Sequence, residues 1–112
     1  MFFNENQMVE TFFDVIPFGI YVVDVTNHTI VFMNKTLTAQ RGDLTGEVCY
    51  KALCEEDGPC PHCAIDKVVG PDGTPLGQPH VFEYFDPIDD HWYQMQEKSI
   101  AWPDGRTVKV SI

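Results

Sequence analysis

The runs Gly19-Ile-Tyr-Val-Val-Asp24 and Thr29-Ile-Val-Phe-Met-Asn34 decide the fold, because their pattern is that of two neighbouring strands. β-Branched and aromatic residues dominate both runs. The turn-forming residues Thr26, Asn27 and His28 separate them. We therefore predict a β-hairpin near the N-terminus, with the other elements arranged around it.

A helix is predicted before this hairpin, over residues 5 to 16. Asn4 and Gln7 approximate a capping box at its start, and Pro17 stops it. The apolar stripe of this helix packs either on the back of a sheet or on the same helix of a second subunit, which makes the segment a candidate dimer contact. The stripe is at the spacing of one helical face and consists of Met8, Val9, Phe12, Phe13 and Ile16.

Short helices are predicted after the hairpin. Asn34 is placed to cap a helix that runs through Gln40 and is closed by Gly42. A second helical piece is expected to begin at Leu44-Thr-Gly46 and to carry Cys49, Tyr50 and Leu53. A third, of about two turns, is expected from Ala64 to Val69, before a loop rich in glycine and proline.

Three strands complete the chain, over His80 to Phe85, Trp92 to Trp102 and Arg106 to Ile112. The segment Pro103-Asp-Gly105 joins the last two as a hairpin turn, for which Asp-Gly is a strong signal. Strands at both ends with helices between them predict an α+β fold with a mainly antiparallel sheet. The whole chain, 1–112, is expected to form one domain, because 112 residues are too few for two.

The charge balance excludes several classes of partner. Seventeen acidic residues against seven Lys and Arg give a formal charge of -10, and the basic residues are scattered singly. Such a surface repels nucleic acid and anionic membranes. The apolar runs are too short to span a bilayer, and the N-terminus lacks the features of a secretory signal. We expect a cytoplasmic protein with reduced thiols.

The order of elements and several local motifs resemble the PAS domain, a sensory module of bacterial histidine kinases and diguanylate cyclases. The resemblance spans nearly the whole chain and implies a five-stranded antiparallel sheet with short helices over one face, enclosing a small pocket. A narrower subgroup shares Cys-Tyr-x-x-Leu followed by Pro-Cys-x-x-Cys. The motifs that carry the resemblance are Ile16-Pro-Phe-Gly-Ile-Tyr-Val-Val-Asp24, Ile30 with Asn34, Gly46-x-x-Cys49-Tyr50-x-x-Leu53, Pro59 to Cys63, and Trp102-Pro-Asp-Gly-Arg106.

The resemblance also implies a function. PAS domains are rarely enzymes; they bind a small ligand or sense redox state and pass that state to an attached output domain, commonly as a homodimer. We therefore expect a non-enzymatic sensor domain, with the output domain and the ligand or cofactor left unassigned.

Candidate pocket residues follow from strand alternation together with this resemblance. Tyr21 and Val23 share one face of the first strand, which the resemblance favours as the inner face. The alternative is that these side chains only fill the core. The full predicted set is Tyr21, Val23, Cys49, Phe82, Tyr84, Gln94 and Gln96.

All four cysteines lie between Cys49 and Cys63. We interpret Cys49 as part of the pocket wall and Cys60 with Cys63 as a candidate redox pair, because their close spacing permits a reversible disulfide. Cys54 lies outside the subgroup pattern. No metal is assigned, since a zinc site typically needs two separate Cys-x-x-Cys pairs. Three cysteines with His62 or an external ligand, or an iron-sulfur cluster, stay open as alternatives.

An enzyme alternative rests on the tetrapeptide Cys60-Pro-His-Cys63, which equals the active site of DsbA-type thiol-disulfide oxidoreductases. That motif must follow an apolar strand in the thioredoxin fold, whereas Glu55-Glu-Asp-Gly-Pro59 precedes it here. Three acidic residues raise the pKa of a nearby thiol rather than lower it. A flavin-binding LOV-type photoreceptor is similarly disfavoured, because Val48 and Tyr50 around Cys49 depart from the pattern of that branch. Haem ligation by His62 or His80 stays open.

Overall fold

Five strands and three short helices form the described part of the chain. The computed structural model describes residues 11–12, 15–59, 63, 65–88 and 90–112. The elements are β1 (Tyr21–Asp24), β2 (Ile30–Met33), α1 (Lys35–Arg41), α2 (Cys49–Cys54), α3 (Ile65–Val68), β3 (His80–Asp86), β4 (His91–Ala101) and β5 (Thr107–Ser111).

The strands form one antiparallel sheet in the order β2-β1-β5-β4-β3. The α+β class and the five-stranded antiparallel sheet are therefore confirmed. The sheet joins the two ends of the chain, because β1 pairs with both β2 and β5. The β4–β5 hairpin turns at Gly105, whose φ of 92° suits a residue without a side chain.

The helix predicted at Leu44 begins only at Cys49. The backbone before it bonds to the start of β2 instead: the Gly46 N–H donates to the Ile30 carbonyl at 2.8 Å, and the Ile30 N–H donates to the Glu47 carbonyl at 2.9 Å. These bonds occupy backbone groups that a helix would need, so residues 45 to 47 form a turn instead. The prediction of a helical start at Leu44-Thr-Gly46 was wrong for this reason.

Most of the helix predicted over residues 5 to 16 lies outside the described residues. Thr11 and Phe12 are helical, whereas Val15 and Ile16 lie in a turn. The helix therefore ends before residue 15 rather than at Ile16. The other predicted elements match: α1 runs from its cap Asn34 to Gly42, and α3 lies within the predicted range of residues 64 to 69.

The core lies between the sheet and the helices. Val23, Ile30 and Met33 are buried there, and partly buried residues of α1, α2 and the connecting segment pack against them, namely Leu37, Leu44, Cys49, Ala52 and Leu53. We call this helix-covered side of the sheet the inner face. Val22 and Val108, on the opposite face, are also fully buried, so the centre of the sheet is covered on both faces.

Asn34 joins the first strand to the first helix. Its side-chain oxygen accepts from the Ile20 N–H at 2.9 Å and from the Leu37 N–H at 3.2 Å. Its side-chain nitrogen donates to the Phe18 carbonyl at 2.7 Å. Since Asn34 is fully buried, water cannot replace these bonds, and one side chain holds both the start of β1 and the start of α1.

We expect Asn34→Ala to lower the free energy of unfolding by about 2 to 4 kcal/mol, because it removes a helix cap and leaves buried backbone groups unpaired. Urea unfolding followed by circular dichroism measures this change. Asn27→Ala is the matched control: the Asn27 side chain accepts from the Thr29 N–H at 2.9 Å in an exposed turn, where water replaces the lost bond. Equal losses in the two variants would contradict the assigned role of Asn34.

Candidate functional site

A cavity of about 450 Å³ lies between the inner face of the sheet and the first two helices. Tyr21, Tyr84 and Tyr93 provide rings from three strands, and Leu37, Leu53 and Met95 provide aliphatic and thioether surface. The remaining residues that border it are Pro17, Phe18, Gly19, Gln40, Arg41, Cys54, Asp86, Gln94, Gln96 and Ile112. We call this space the main cavity.

One wall of the main cavity contains an ion pair. The Arg41 guanidinium lies 2.7 Å from an Asp86 carboxylate oxygen, and the other oxygen of Asp86 accepts from the Ile88 N–H at 2.9 Å. The Asp86 side chain is only 3% exposed. The pair joins the end of α1 to the end of β3, and it presents no net charge to the cavity.

The predicted pocket residues are divided among four places. Tyr21, Tyr84, Gln94 and Gln96 border the main cavity. Val23 is fully buried in the core. Phe82 pairs with Met95 and so lies on the inner face, where its ring stacks on His80 at 5.2 Å. Cys49 borders a second, smaller cavity.

Gln94 and Gln96 reach the main cavity from an unexpected side. Their pairing partners are Glu83 and Val81, so they lie on the face opposite Tyr84 and Met95. Both are exposed. This part of β4 extends past the end of β5. The last described backbone hydrogen bonds on that side of β4 join Gln96 to Ile112.

The second cavity, of about 30 Å³, lies beside the main one, and we call it the annex. Tyr21, Leu53 and Cys54 border both spaces. Its other lining residues are His28, Cys49, Tyr50, Cys63, Glu97 and Lys109. Glu97 and Lys109 form the charged part of its wall.

A buried polar network crosses the inner face of the sheet at the annex. The Lys109 ammonium lies 3.1 Å from Glu97 Oε2, and the Ser111 hydroxyl donates to the same oxygen at 2.5 Å. All three residues are buried. Burial, and then the nearby Glu97 carboxylate, raise the pKa of Tyr21 well above its usual value, while a hydrogen bond with Ser111 opposes this. The Tyr21 phenol is therefore protonated at neutral pH.

The Cys49 thiol is also protonated. Burial raises its pKa to about 11, although the Lys109 ammonium acts in the opposite direction. The Cys49 sulfur lies 4.0 Å from His28 Nδ1. Burial, and then the nearby Lys109, lower the pKa of His28, so its imidazole is neutral at pH 7. Cys49 is thus a neutral wall residue rather than a reactive thiolate.

The thiols near the annex are Cys49, Cys54 and Cys63, all free. Cys60 and His62 lie outside the described residues, so the predicted Cys60 and Cys63 pair stays a prediction. Among the residues that the structure describes, no group of three or more potential ligands is placed to hold a metal ion.

Sequence patterns missed several residues that border the two spaces. Leu37 and Arg41 lie in the helix that Asn34 caps, but the sequence pattern did not predict which side of this helix faces the sheet. Glu97 and Lys109 are oppositely charged residues in two predicted neighbouring strands. That combination was the feature of the sequence that could have indicated a cross-strand pair. Recognising them as one buried pair requires the register of β4 against β5, in which Ser99 opposes Lys109 and Glu97 opposes Ser111.

Comparison with solved structures identifies the architecture. The PAS domain of an HTR-like protein from Haloarcula marismortui is similar over 96% of this chain and 93% of that chain, with a TM-score of 0.58 and 18% sequence identity. The PAS domain of BvgS from Bordetella pertussis is similar over 96% of this chain and 82% of that chain, with a TM-score of 0.60 and 13% identity.

A third similar structure is an RNA-binding light-oxygen-voltage receptor, with a TM-score of 0.57 and 20% identity over 96% of this chain. The chain spans 31% of that receptor. The sequence matches no protein-family model and no curated protein. At such low identities the similarity establishes the fold. No helix within the described residues is long and apolar enough to cross a membrane.

Iodoacetamide should label Cys49 at pH 8 about 100-fold more slowly than it labels the same cysteine in the denatured chain, because the thiolate reacts and the raised pKa makes it scarce. Peptide mass spectrometry of timed samples separates Cys49 from the other cysteines. Labelling in urea supplies the reference rate. Equal rates in the folded and denatured protein would contradict a buried, protonated Cys49.

Proposed function

The chain has the PAS fold, and on this premise we propose that it is a non-enzymatic sensory module that binds a small organic molecule in the main cavity. We propose further that it works in the cytoplasm of a bacterium, as a homodimer, and passes its state to an attached output domain of a signal-transduction protein. The observation that carries the proposal is a cavity that touches both the helices and the end of β5.

The size and lining of the main cavity suit a small ligand. A volume of about 450 Å³ lies within the range of pockets that bind small molecules, about 300 to 1,000 Å³. Three tyrosine rings and several apolar side chains favour a ligand with an apolar, flat body. The charges of Arg41 and Asp86 neutralise each other, so this wall of the cavity does not favour a strongly charged ligand.

The cavity also offers a route by which ligand binding affects the output. Ile112 borders the cavity and exchanges two backbone hydrogen bonds with Gln96, of 2.9 and 3.1 Å. A ligand that contacts Ile112 favours one conformation of the backbone pairing between Ile112 and Gln96 over another. Because β5 lies at the centre of the sheet, the change in population reaches whatever follows the strand.

The oxidoreductase alternative loses its structural premise. Cys60-Pro-His-Cys63 acts in the thioredoxin fold, where it follows a strand, and the residues before it here, Glu55 to Pro59, form no strand. The sheet is entirely antiparallel, with the PAS order of strands. We therefore favour the sensor over the enzyme.

Redox sensing is a second candidate, because Cys49, Cys54 and Cys63 all border the annex next to the main cavity. In this proposal peroxide oxidises the thiols of Cys60 and Cys63 to a disulfide: the two sulfurs bond, and the two protons and two electrons leave with the peroxide as two molecules of water. A disulfide between these two residues would restrict the chain just before α3.

Leu53→Trp should abolish ligand binding, because the larger ring fills space shared by the two cavities. Native mass spectrometry of the purified wild type tests for a bound small molecule, and a thermal-shift screen of neutral ring compounds tests for added ones. Lys51→Trp is the matched control, since Lys51 is exposed on the same helix and borders neither space. Binding that survives in Leu53→Trp would place the ligand elsewhere, and a wild type that binds nothing in either assay would reject the ligand sensor.

Peroxide treatment should join Cys60 to Cys63 and lower the mass of the chain by two hydrogens. Non-reducing peptide mapping identifies the pair, and dithiothreitol should reverse it. Cys54→Ser is the control, because it leaves the predicted pair intact and should give the same product. A bridge between other cysteines, or four free thiols after treatment, would reject this redox pair.

A further inference from the structure

Glu97, which borders the annex, has one carboxylate oxygen without a hydrogen-bond partner among the described residues. Glu97 is 3% exposed, and its Oε2 atom already holds the Ser111 hydroxyl and the Lys109 ammonium. The Oε1 atom is buried and has no hydrogen-bond partner among the residues described. A buried acceptor left unpaired costs free energy, so a donor placed against Oε1 would bind favourably.

The surroundings of Oε1 select a neutral donor. Lys109 already balances the charge of Glu97 and would repel a cation in the same space. The annex contains no second described carboxylate. Tyr21 and Cys49 are held in their protonated forms and His28 in its neutral form. A metal ion or an ammonium group would be repelled by Lys109 and would find neither a thiolate nor a phenolate there, whereas a neutral hydroxyl or N–H group would not be repelled.

The size of the annex restricts the donor further. A volume of about 30 Å³ is room for one small polar group, since one water molecule needs at least about 10 to 15 Å³ by this kind of measure. A complete organic molecule does not fit. The main cavity lies directly beside it, with Tyr21, Leu53 and Cys54 bordering both spaces.

We propose that the annex is the polar end of the ligand site, and that Glu97 Oε1 accepts a hydrogen bond from a neutral hydroxyl or N–H group of a ligand whose apolar ring body lies in the main cavity. This rests on the proposed ligand-binding function and adds the chemical class of the ligand. Glu97 then distinguishes ligands by one donor group, because a ligand of the same shape without that group leaves Oε1 unpaired.

Indole and benzothiophene test the proposal as probes. They have nearly the same shape, but indole carries one N–H donor where benzothiophene carries sulfur. Isothermal titration of the wild-type chain should show indole binding about tenfold more tightly, the difference expected for one buried hydrogen bond. The N–H proton of bound indole should show nuclear Overhauser contacts to Tyr21 and Cys49 in the wild type.

The double variant Glu97→Met/Lys109→Met removes the acceptor without leaving an unpaired buried charge. The protein should therefore still fold. It should bind the two probes equally. The control variant Asp104→Asn/Arg106→Gln removes a surface ion pair of 2.6 Å and should keep the tenfold preference for indole.

Equal affinity of the two probes for the wild type would overturn the role of Glu97 and leave the ligand-sensor proposal standing. A preference for indole that persists in the double variant, or bound indole without contacts to Tyr21 and Cys49, would also overturn it. Failure of both probes to bind at millimolar concentration would reject the proposed ligand class. The ligand-sensor proposal itself is tested separately by the Leu53→Trp experiment.

Discussion

The buried side chain of Asn34 is the constraint on which the site depends. It bonds to backbone groups of Ile20, Phe18 and Leu37 at once, so it sets the distance between the edge of β1 and the start of α1. Phe18, Leu37 and Arg41 all border the main cavity. The amide side chain of Asn34 has both an acceptor and donors, so it can form hydrogen bonds with the backbone of β1 and of α1 at once. The space between the sheet and this helix depends on those hydrogen bonds.

The inner face of the sheet carries aromatic and thioether side chains beside the main cavity and a buried ion pair beside the annex. On the β3 side, Tyr84, Tyr93 and Met95 leave an apolar surface. At the centre, Glu97, Lys109 and Ser111 place a buried ion pair and a hydroxyl on the same face. Burying such a pair is costly unless its remaining bonds are satisfied, which makes the unpaired oxygen of Glu97 a chemically meaningful feature rather than a detail of packing.

Local signals predicted most of the elements, and tertiary bonds account for the main error. Asn34 and Gly42 correctly marked the ends of α1, and the β-branched runs marked the strands. The start of α2 was misplaced because Gly46 and Glu47 bond to Ile30 across the chain, which no local pattern reports. For the site, strand alternation put Tyr21 and Val23 on one face, and the resemblance to PAS domains favoured Tyr84, Gln94 and Gln96. All of these except Val23 border the main cavity.

The sequence by itself determined the class of fold and the order of the strands along the chain, because propensity and turn residues are local properties. Tertiary structure alone decided which charges meet. Glu97 and Lys109 form a pair only through the register of β4 against β5, and Arg41 meets Asp86 only when α1 lies over the sheet. Contacts between distant residues depend on how elements pack, and the spacing of residues within one element carries no record of that packing.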